Sequence, residues 1–254
     1  MNQKVSVITV CYNAEEFIEQ AINSVLDQTY ENIEYLIIDG NSSDNTVSII
    51  NKYKDKIHYF LSEPDKGIYE AMNKGIKAAS GDILYFLNSD DIFYDKYVVE
   101  NIVKMFKLND EIELLYGPIL IKDSFTNESF VKTHENISKS FFIYDTICHQ
   151  GIFFKADTFK KCGLFDDTYK IVGDYEWLLR AFYKYDIKRK YYRSVIAIFR
   201  FGGMSCSKEF SELHAKEWRR AFNKYFNKFE FYKYMFILLI KKILIRPKRI
   251  LNYQ

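Results

Sequence analysis

The chain has 254 residues, 48% hydrophobic and 28% charged, with only three prolines, so it is long enough for one large domain, or a domain with an appendage, and shows no disordered linker. Net charge is +2, yet residues 228–251 hold seven basic side chains against Glu230 alone; a balance that is basic only locally, on an apolar tail, argues against nucleic acid and for a membrane surface. The four cysteines (Cys11, Cys148, Cys162, Cys206) lack metal-ligand spacing and read as reduced thiols of a cytosolic protein, and the short apolar run of residues 1–10 is too brief for a signal peptide.

Val5–Val10 reads as a buried strand and Ala14–Gln28 as an amphipathic helix, with Asn13 as its N-cap and Glu15 and Glu16 in the first turn. Glu34–Ile38 is a second strand ending at Asp39-Gly40, followed by a helix from Asn45 to Tyr53, a third strand Ile57–Leu61 and a helix over Gly67–Ala79. The uninterrupted apolar run Ile83–Leu87 is a strand buried on both faces, and it stops at Asn88-Ser89-Asp90-Asp91, with Asp95 positioned to cap the next helix. Strand and helix alternate throughout, which predicts an α/β fold with a doubly wound, mainly parallel sheet. Each strand ends in polar groups (Thr9-Tyr12-Asn13, Asp39, Asp65-Lys66, Ser89-Asp90-Asp91), so they describe one crevice at the carboxyl edge, where such sheets bind ligands. No glycine follows the first strand, which excludes a phosphate loop or a dinucleotide fingerprint. Two adjacent carboxylates demand a counter-charge, and a divalent cation bound to phosphates wants one or two of them.

In the second half, Glu113–Tyr116 and Ile119–Lys122 read as strands joined through Gly117-Pro118, and residues 123–140 as a polar loop facing an acceptor. His149-Gln150 precedes an apolar strand. Asp174 opens a helix whose face is Trp177, Leu178, Ala181, Phe182 and Tyr185, and the helix dipole favours its charged form. Val195–Phe201 is a strand running into Gly202-Gly203, which suit a flexible lid over a diphosphate, with Arg200 or Ser205 reaching it; a helix over Lys208–Phe226 follows. The longest uncharged run of the tail, Tyr234–Ile240, is far short of the roughly 20 residues that span a bilayer. Phe229–Leu251 therefore reads as a helix lying in the membrane interface, or packed on its own domain or a second subunit.

Four blocks resemble the inverting, GT-A-type glycosyltransferases of family 2: Val5–Glu15, Ile37-Ile38-Asp39-Gly40 with Ser42, Asp44 and Thr46, Glu63–Tyr69 with Ala71, Asn73 and Gly75, and Ala79–Asp82 leading to Asn88–Asp91. The resemblance implies a GT-A fold with a Rossmann-like nucleotide-binding half (1–125), an acceptor-side half (126–210) and a C-terminal amphipathic helical tail (211–254). It implies that Asp90 and Asp91 form the metal motif for Mn²⁺ or Mg²⁺ against the donor diphosphate. Asp39 matches the acceptor of the uracil N–H and Tyr12 an aromatic beside the base. Thr9, Asn13, Glu15, Asp65, Lys66, Asn73 and Ser89 match donor-lining positions, although Met72 stands where many relatives carry arginine. Asp174 matches the catalytic base, with Glu176 the next candidate. His149-Gln150 resembles a pair in the capsule- and O-antigen-building branch. The expected activity is hexosyl or N-acetylhexosaminyl transfer from a UDP-sugar to a glycan acceptor, lipid-linked, at the inner face of a bacterial membrane, with a homodimer through the C-terminal helices open. The alternative is a non-catalytic nucleotide-sugar or glycan binder on the same fold; Asp174 argues against it, because a binder needs no base.

Overall fold

The computed structural model describes residues 3–123, 126, 128–201, 208–227, 229, 230, 232, 233, 236 and 240. A seven-stranded sheet forms the centre. Its first half alternates β1 (Val5–Cys11), α1 (Ile18–Leu26), β2 (Ile33–Asp39), α2 (Thr46–Asn51), β3 (Tyr59–Ser62), α3 (Ile68–Ala78) and β4 (Ile83–Phe86). After β5 (Ile92–Phe93) and α4 (Val98–Leu108) come β6 (Leu114–Tyr116), β7 (Ile119–Asp123), β8 (Ser129–Lys132), β9 (Ile152–Lys155) and α5 (Ala156–Cys162). The last elements are α6 (Gly173–Leu179), continued by a π-helical turn at Arg180–Lys184, then β10 (Arg189–Tyr191), β11 (Ala197–Phe201) and α7 (Lys208–Tyr225).

Strand order in the large sheet is β10-β6-β9-β4-β1-β2-β3, and a second sheet runs β5-β11-β7-β8. Every β1 residue is buried because helices cover both faces. Val7 and Ile37 pack with Ile18, Ile22, Val99 and Ile102 of α1 and α4. Ile8 and Ile38, one residue on and so on the opposite face, pack with Met72 of α3 and Trp177 and Leu178 of α6. In the large sheet all pairs are parallel except those of β9, which runs antiparallel to both β4 and β6. Its amino end, and with it His149-Gln150, therefore lies at the edge where β1, β2 and β4 have their carboxyl ends.

Several boundaries differ from the sequence expectations for local reasons. Asn13 does not cap α1: it sits in the left-handed region at φ 49°, and its side-chain oxygen accepts the Ser43 N–H at 2.9 Å. The helix starts only at Ile18. Asp95 makes an Asx turn onto the Tyr97 N–H at 2.7 Å, one turn ahead of α4. Gly117-Pro118 does not join neighbours, because β6 belongs to the large sheet and β7 to the small one. Within the expected loop 123–140, Ser129–Lys132 is a strand antiparallel to β7.

Helix α7 packs on α6 through Tyr175 and Trp218, whose rings stack at 3.7 Å. The expected lid, Gly202–Ser205, lies outside the described residues, as does most of the tail. Of the tail, Phe229, Glu230, Tyr232, Lys233, Phe236 and Ile240 are helical, and the four apolar ones are exposed. No helix among the described residues is long and apolar enough to cross a membrane.

Candidate active site

At one end of the carboxyl edge, β2 delivers Asp39 with no exposed surface. Its carboxylate accepts the Ser42 N–H at 3.0 Å, the Ser62 hydroxyl at 2.6 Å and the Ser42 hydroxyl. Burial, reinforced by this carboxylate, pushes the neighbouring Cys11 thiol far up, which keeps it inert. Asp39 thus closes an Asx turn and shows solvent no oxygen. Thr9, expected to line the crevice, is instead interior: it is fully buried and its hydroxyl bonds the Tyr35 phenol at 3.1 Å. Asn73 is also not in the crevice, since its carboxamide clamps the Phe165 backbone, donating to the carbonyl at 2.9 Å and accepting the N–H at 3.0 Å.

The crevice mouth is formed by exposed Tyr12, Asn13, Glu15 and Lys66 and half-buried Asp65. The Tyr12 ring and the Asp65 carboxylate converge on Gly40, so closely that a Cβ there would lie 3.4 and 2.8 Å from them. Burial raises the Asp65 carboxyl, which accepts the Gly67 N–H at 2.8 Å. Glu15 accepts both the backbone and the side-chain N–H of Asn45, at 2.9 and 2.7 Å.

β4 brings Asn88, Ser89 and Asp90, all half-buried, to the middle of the edge. The two adjacent carboxylates have opposite fates. Asp91 is fully buried and accepts the Gln150 carboxamide at 3.0 Å and the Arg200 N–H at 3.3 Å. Burial and the Asp90 charge push it well above the usual carboxylate range. It ties β4 to β9 and β11, so the expectation that it faces a metal is corrected: it has no surface to offer one. Asp90 is raised by burial, against the pull of Arg200 and His149, and no side chain among the described residues hydrogen-bonds to it. Nor do the described residues contain any group of three His, Cys, Asp or Glu side chains able to hold a metal alone. A single under-compensated carboxylate fits a Mg²⁺ or Mn²⁺ shared with phosphates and does not fit an all-protein cage. Arg200 turns toward α1, its guanidinium 4.4 Å over the Phe17 ring and 3.0 Å from Gln20 Oε1.

Beside Asp90 a hydrogen-bonded chain assembles from four distant segments. Asp174, whose side chain is 19% exposed, accepts on one oxygen the Tyr175 N–H at 2.8 Å and, at 3.0 Å, the Tyr69 hydroxyl, which it shares with the Ile171 carbonyl at 2.7 Å. Its other oxygen meets His149 Nδ1 at 3.3 Å, and His149 Nε2 is 3.3 Å from Asn88 Oδ1. Burial alone would raise the Asp174 carboxyl, but the His149 hydrogen bond and charge, with those from Tyr175 and Tyr69, hold it below its ordinary value. Gly173 allows this arrangement: a Cβ there would strike the Tyr69 ring at 2.7 Å.

Glu176 is no alternative base. It is fully buried, paired with Arg180 at 3.0 Å and Lys224 at 2.8 Å, and accepts the Tyr225 hydroxyl at 2.5 Å. Sequence reasoning had no place for Tyr69 and Asn88 as partners of the Asp174–His149 pair. Tyr69 sits in the matched third block, but a contact across 105 residues leaves no periodic trace.

The glycosyl transferase family 2 model matches residues 6–162. An uncharacterized glycosyltransferase of Rickettsia typhi is 34% identical over 180 residues, covering 68% of this chain and 56% of its own length. A PGL/p-HBAD biosynthesis glycosyltransferase of Mycobacterium bovis BCG is 27% identical over 204 residues, 79% of this chain and 78% of its own. The chain thus spans little more than half of the first relative. Among solved structures, Staphylococcus aureus TarS 1–349 in complex with UDP-GlcNAc superposes with a TM-score of 0.68 at 17% identity, over 87% of this chain and 67% of that one. The mannosyltransferase PcManGT of Pyrobaculum calidifontis, in complex with GDP-Man and Mn²⁺, gives 0.68 at 16%, over 88% and 64%. At such identities the likeness is one of fold, and the fold is GT-A.

Proposed function

The chain belongs to glycosyl transferase family 2, and on that premise we propose that it moves a sugar from a UDP-sugar to a hydroxyl of a glycan acceptor, with inversion at the transferred carbon. The observation that carries this reading is Asp174: a carboxylate kept charged by His149 and Tyr69, at the same edge as the Asp39 and Asn88–Asp90 strand ends. In this reading Asp174 takes the proton of the acceptor hydroxyl as that oxygen attacks the sugar from behind. His149 holds the carboxylate ionised and oriented, while Tyr12 offers the base a face, with Asp65 and Lys66 beside it. Asp90 would hold a Mn²⁺ or Mg²⁺ together with the diphosphate; when bound, the cation supplies charge neutralisation for the departing nucleotide.

Residues 1–125 then serve the donor and 126–210 the acceptor. Of the expected tail 211–254, residues to Tyr225 are packed as α7 on α6; the remainder, from residue 229, joins the protein to the inner face of a bacterial membrane, where a lipid-linked glycan of surface-polysaccharide assembly would be met. The exposed stripe Phe229, Tyr232, Phe236 and Ile240, on a tail rich in lysine and arginine, supports this placement.

Asp174→Asn separates binding from chemistry. It keeps the shape and cannot take a proton, so UDP-sugar affinity should stay near normal while turnover falls by about 10²-fold or more. A panel of UDP-sugars, scored by UDP release with and without Mn²⁺ and acceptor, reads both quantities. Turnover within a few-fold of the parent would remove Asp174 as the base.

A further inference from the structure

A cleft of about 910 Å³ opens between residues 135–138 and the loop after β10, outside the site described above. Strand pairing fixes where it lies. His149 enters β9 from the carboxyl edge, and Ile152, three residues on, pairs with Tyr116 at the end of β6. Tyr116 in turn pairs with Tyr191 at the end of β10. With strands about 4.8 Å apart, the cleft begins one to two spacings, roughly 5–10 Å, to the side of the strand that carries His149. It therefore lies to the β6–β10 side of the Asp90–Asp174 crevice, away from β2 and β3.

Its walls have a particular chemistry. Tyr116, Tyr191 and Tyr192 line it; the Tyr116 and Tyr191 rings are 5.5 Å apart and inclined at 57°. Both phenols are held from behind, Tyr116 donating to the Glu135 carbonyl at 2.8 Å and Tyr191 bonded to the Thr133 hydroxyl at 2.5 Å. Arg193 and Glu135 pair at the mouth at 3.2 Å while remaining 86% and 55% exposed, next to exposed Asn136. The other basic groups are engaged inside the fold: Arg189 donates to the Ile137 carbonyl at 3.0 Å and lies 4.5 Å from the Phe182 ring, and Lys190 bonds Asn109. The cleft thus lacks the uncompensated positive charge that a phosphate or a nucleic acid needs. Tyr116 is buried, but the half-buried rings of Tyr191 and Tyr192, beside guanidinium, carboxylate and carboxamide groups, suit a ligand with alternating C–H faces and hydroxyls.

We propose that this cleft is a distal acceptor subsite, binding neutral sugars of the acceptor chain behind the one that is glycosylated. The proposal rests on the glycosyltransferase reading of the Asp174 site and adds what that site alone does not supply, a preference for oligosaccharide over monosaccharide acceptors.

The test uses the full chain on an array of defined soluble oligosaccharides of two to six sugars with their constituent monosaccharides beside them, together with UDP-sugar binding in solution. Oligosaccharides should be retained and monosaccharides not. Tyr191→Ala should weaken retention roughly tenfold, the scale of an aromatic anchor. Arg193→Ala, at an exposed position where folding is not at risk, should weaken it in the same direction. Neither change should alter UDP-sugar affinity. Retention that ignores both substitutions, or no retention of any oligosaccharide, overturns the subsite while leaving the donor site standing. Failure of the parent protein to bind any UDP-sugar overturns the underlying reading, and the subsite with it.

Discussion

Replacing Asp91 by alanine would strand the Gln150 carboxamide and the Arg200 amide, both bonded to it, in a fully buried position. Unsatisfied buried groups cost about 1–3 kcal/mol each, so Asp91→Ala should lower the melting temperature, and the folded fraction should still bind donor. Asp90→Ala should do the reverse: an unchanged melting curve, with cation-dependent donor binding lost. Thermal unfolding and donor titration with and without chelator, run on both variants, check the pair, and a stable Asp91→Ala protein that loses only cation dependence would restore Asp91 as a ligand. The sequence made the two indistinguishable, because adjacency says nothing about which way each side chain turns. Asp174 was legible from its place at a helix start and from the family resemblance. Its partners were not: Tyr69 and Asn88 reach it, directly and through His149, only after β4 and β9 are paired and α3 and α6 are packed. Thr9 and Asn73 matched donor-lining positions, yet one hydroxyl and one carboxamide are consumed within the fold.

The elements that read most clearly were β1, β2 and β4, because strands covered on both faces are continuous apolar runs. β8 escaped because it is an edge strand with three of its four residues exposed, so no burial imposes a pattern on it. The α6–α7 junction escaped as well, since its centre is polar: Glu176 gathers Arg180, Lys224 and Tyr225 with no exposed surface of its own. Removing one partner of a buried ion pair costs about 3 kcal/mol or more. Glu176→Ala should therefore destabilise the protein by roughly that amount in urea. UDP-sugar affinity of the folded fraction should not change. An unfolding midpoint equal to that of the parent would mean that α7 is held by its other contacts, the Tyr175–Trp218 stack and the Glu217 carboxylate on the 170–172 backbone among them.

For the molecule as a whole, the tail prediction separates attachment from folding. Phe229, Tyr232, Phe236 and Ile240 recur at helical spacing on one face, and all four are exposed. Deleting residues 229–254 should leave a folded protein that no longer sediments with anionic vesicles, and high salt should mimic the deletion in the full chain because exposed charges are screened. Binding indifferent to salt, or a truncation that does not fold, would make the segment a packing or dimerisation helix. The reversed strand β9 has a consequence of another kind, for how chains of this family diversify. It lies between β4 and β6, so a piece of chain from beyond residue 150 fills the gap between two strands supplied before residue 117. Two relatives spliced near residue 125 would each have to accept a foreign central strand and, with its leading end, a foreign His149 and Gln150. Recombination at that point is therefore penalised in the sheet itself, and sequence change is more easily accommodated at the rim, in residues 133–138 and 192–194, than by trading halves.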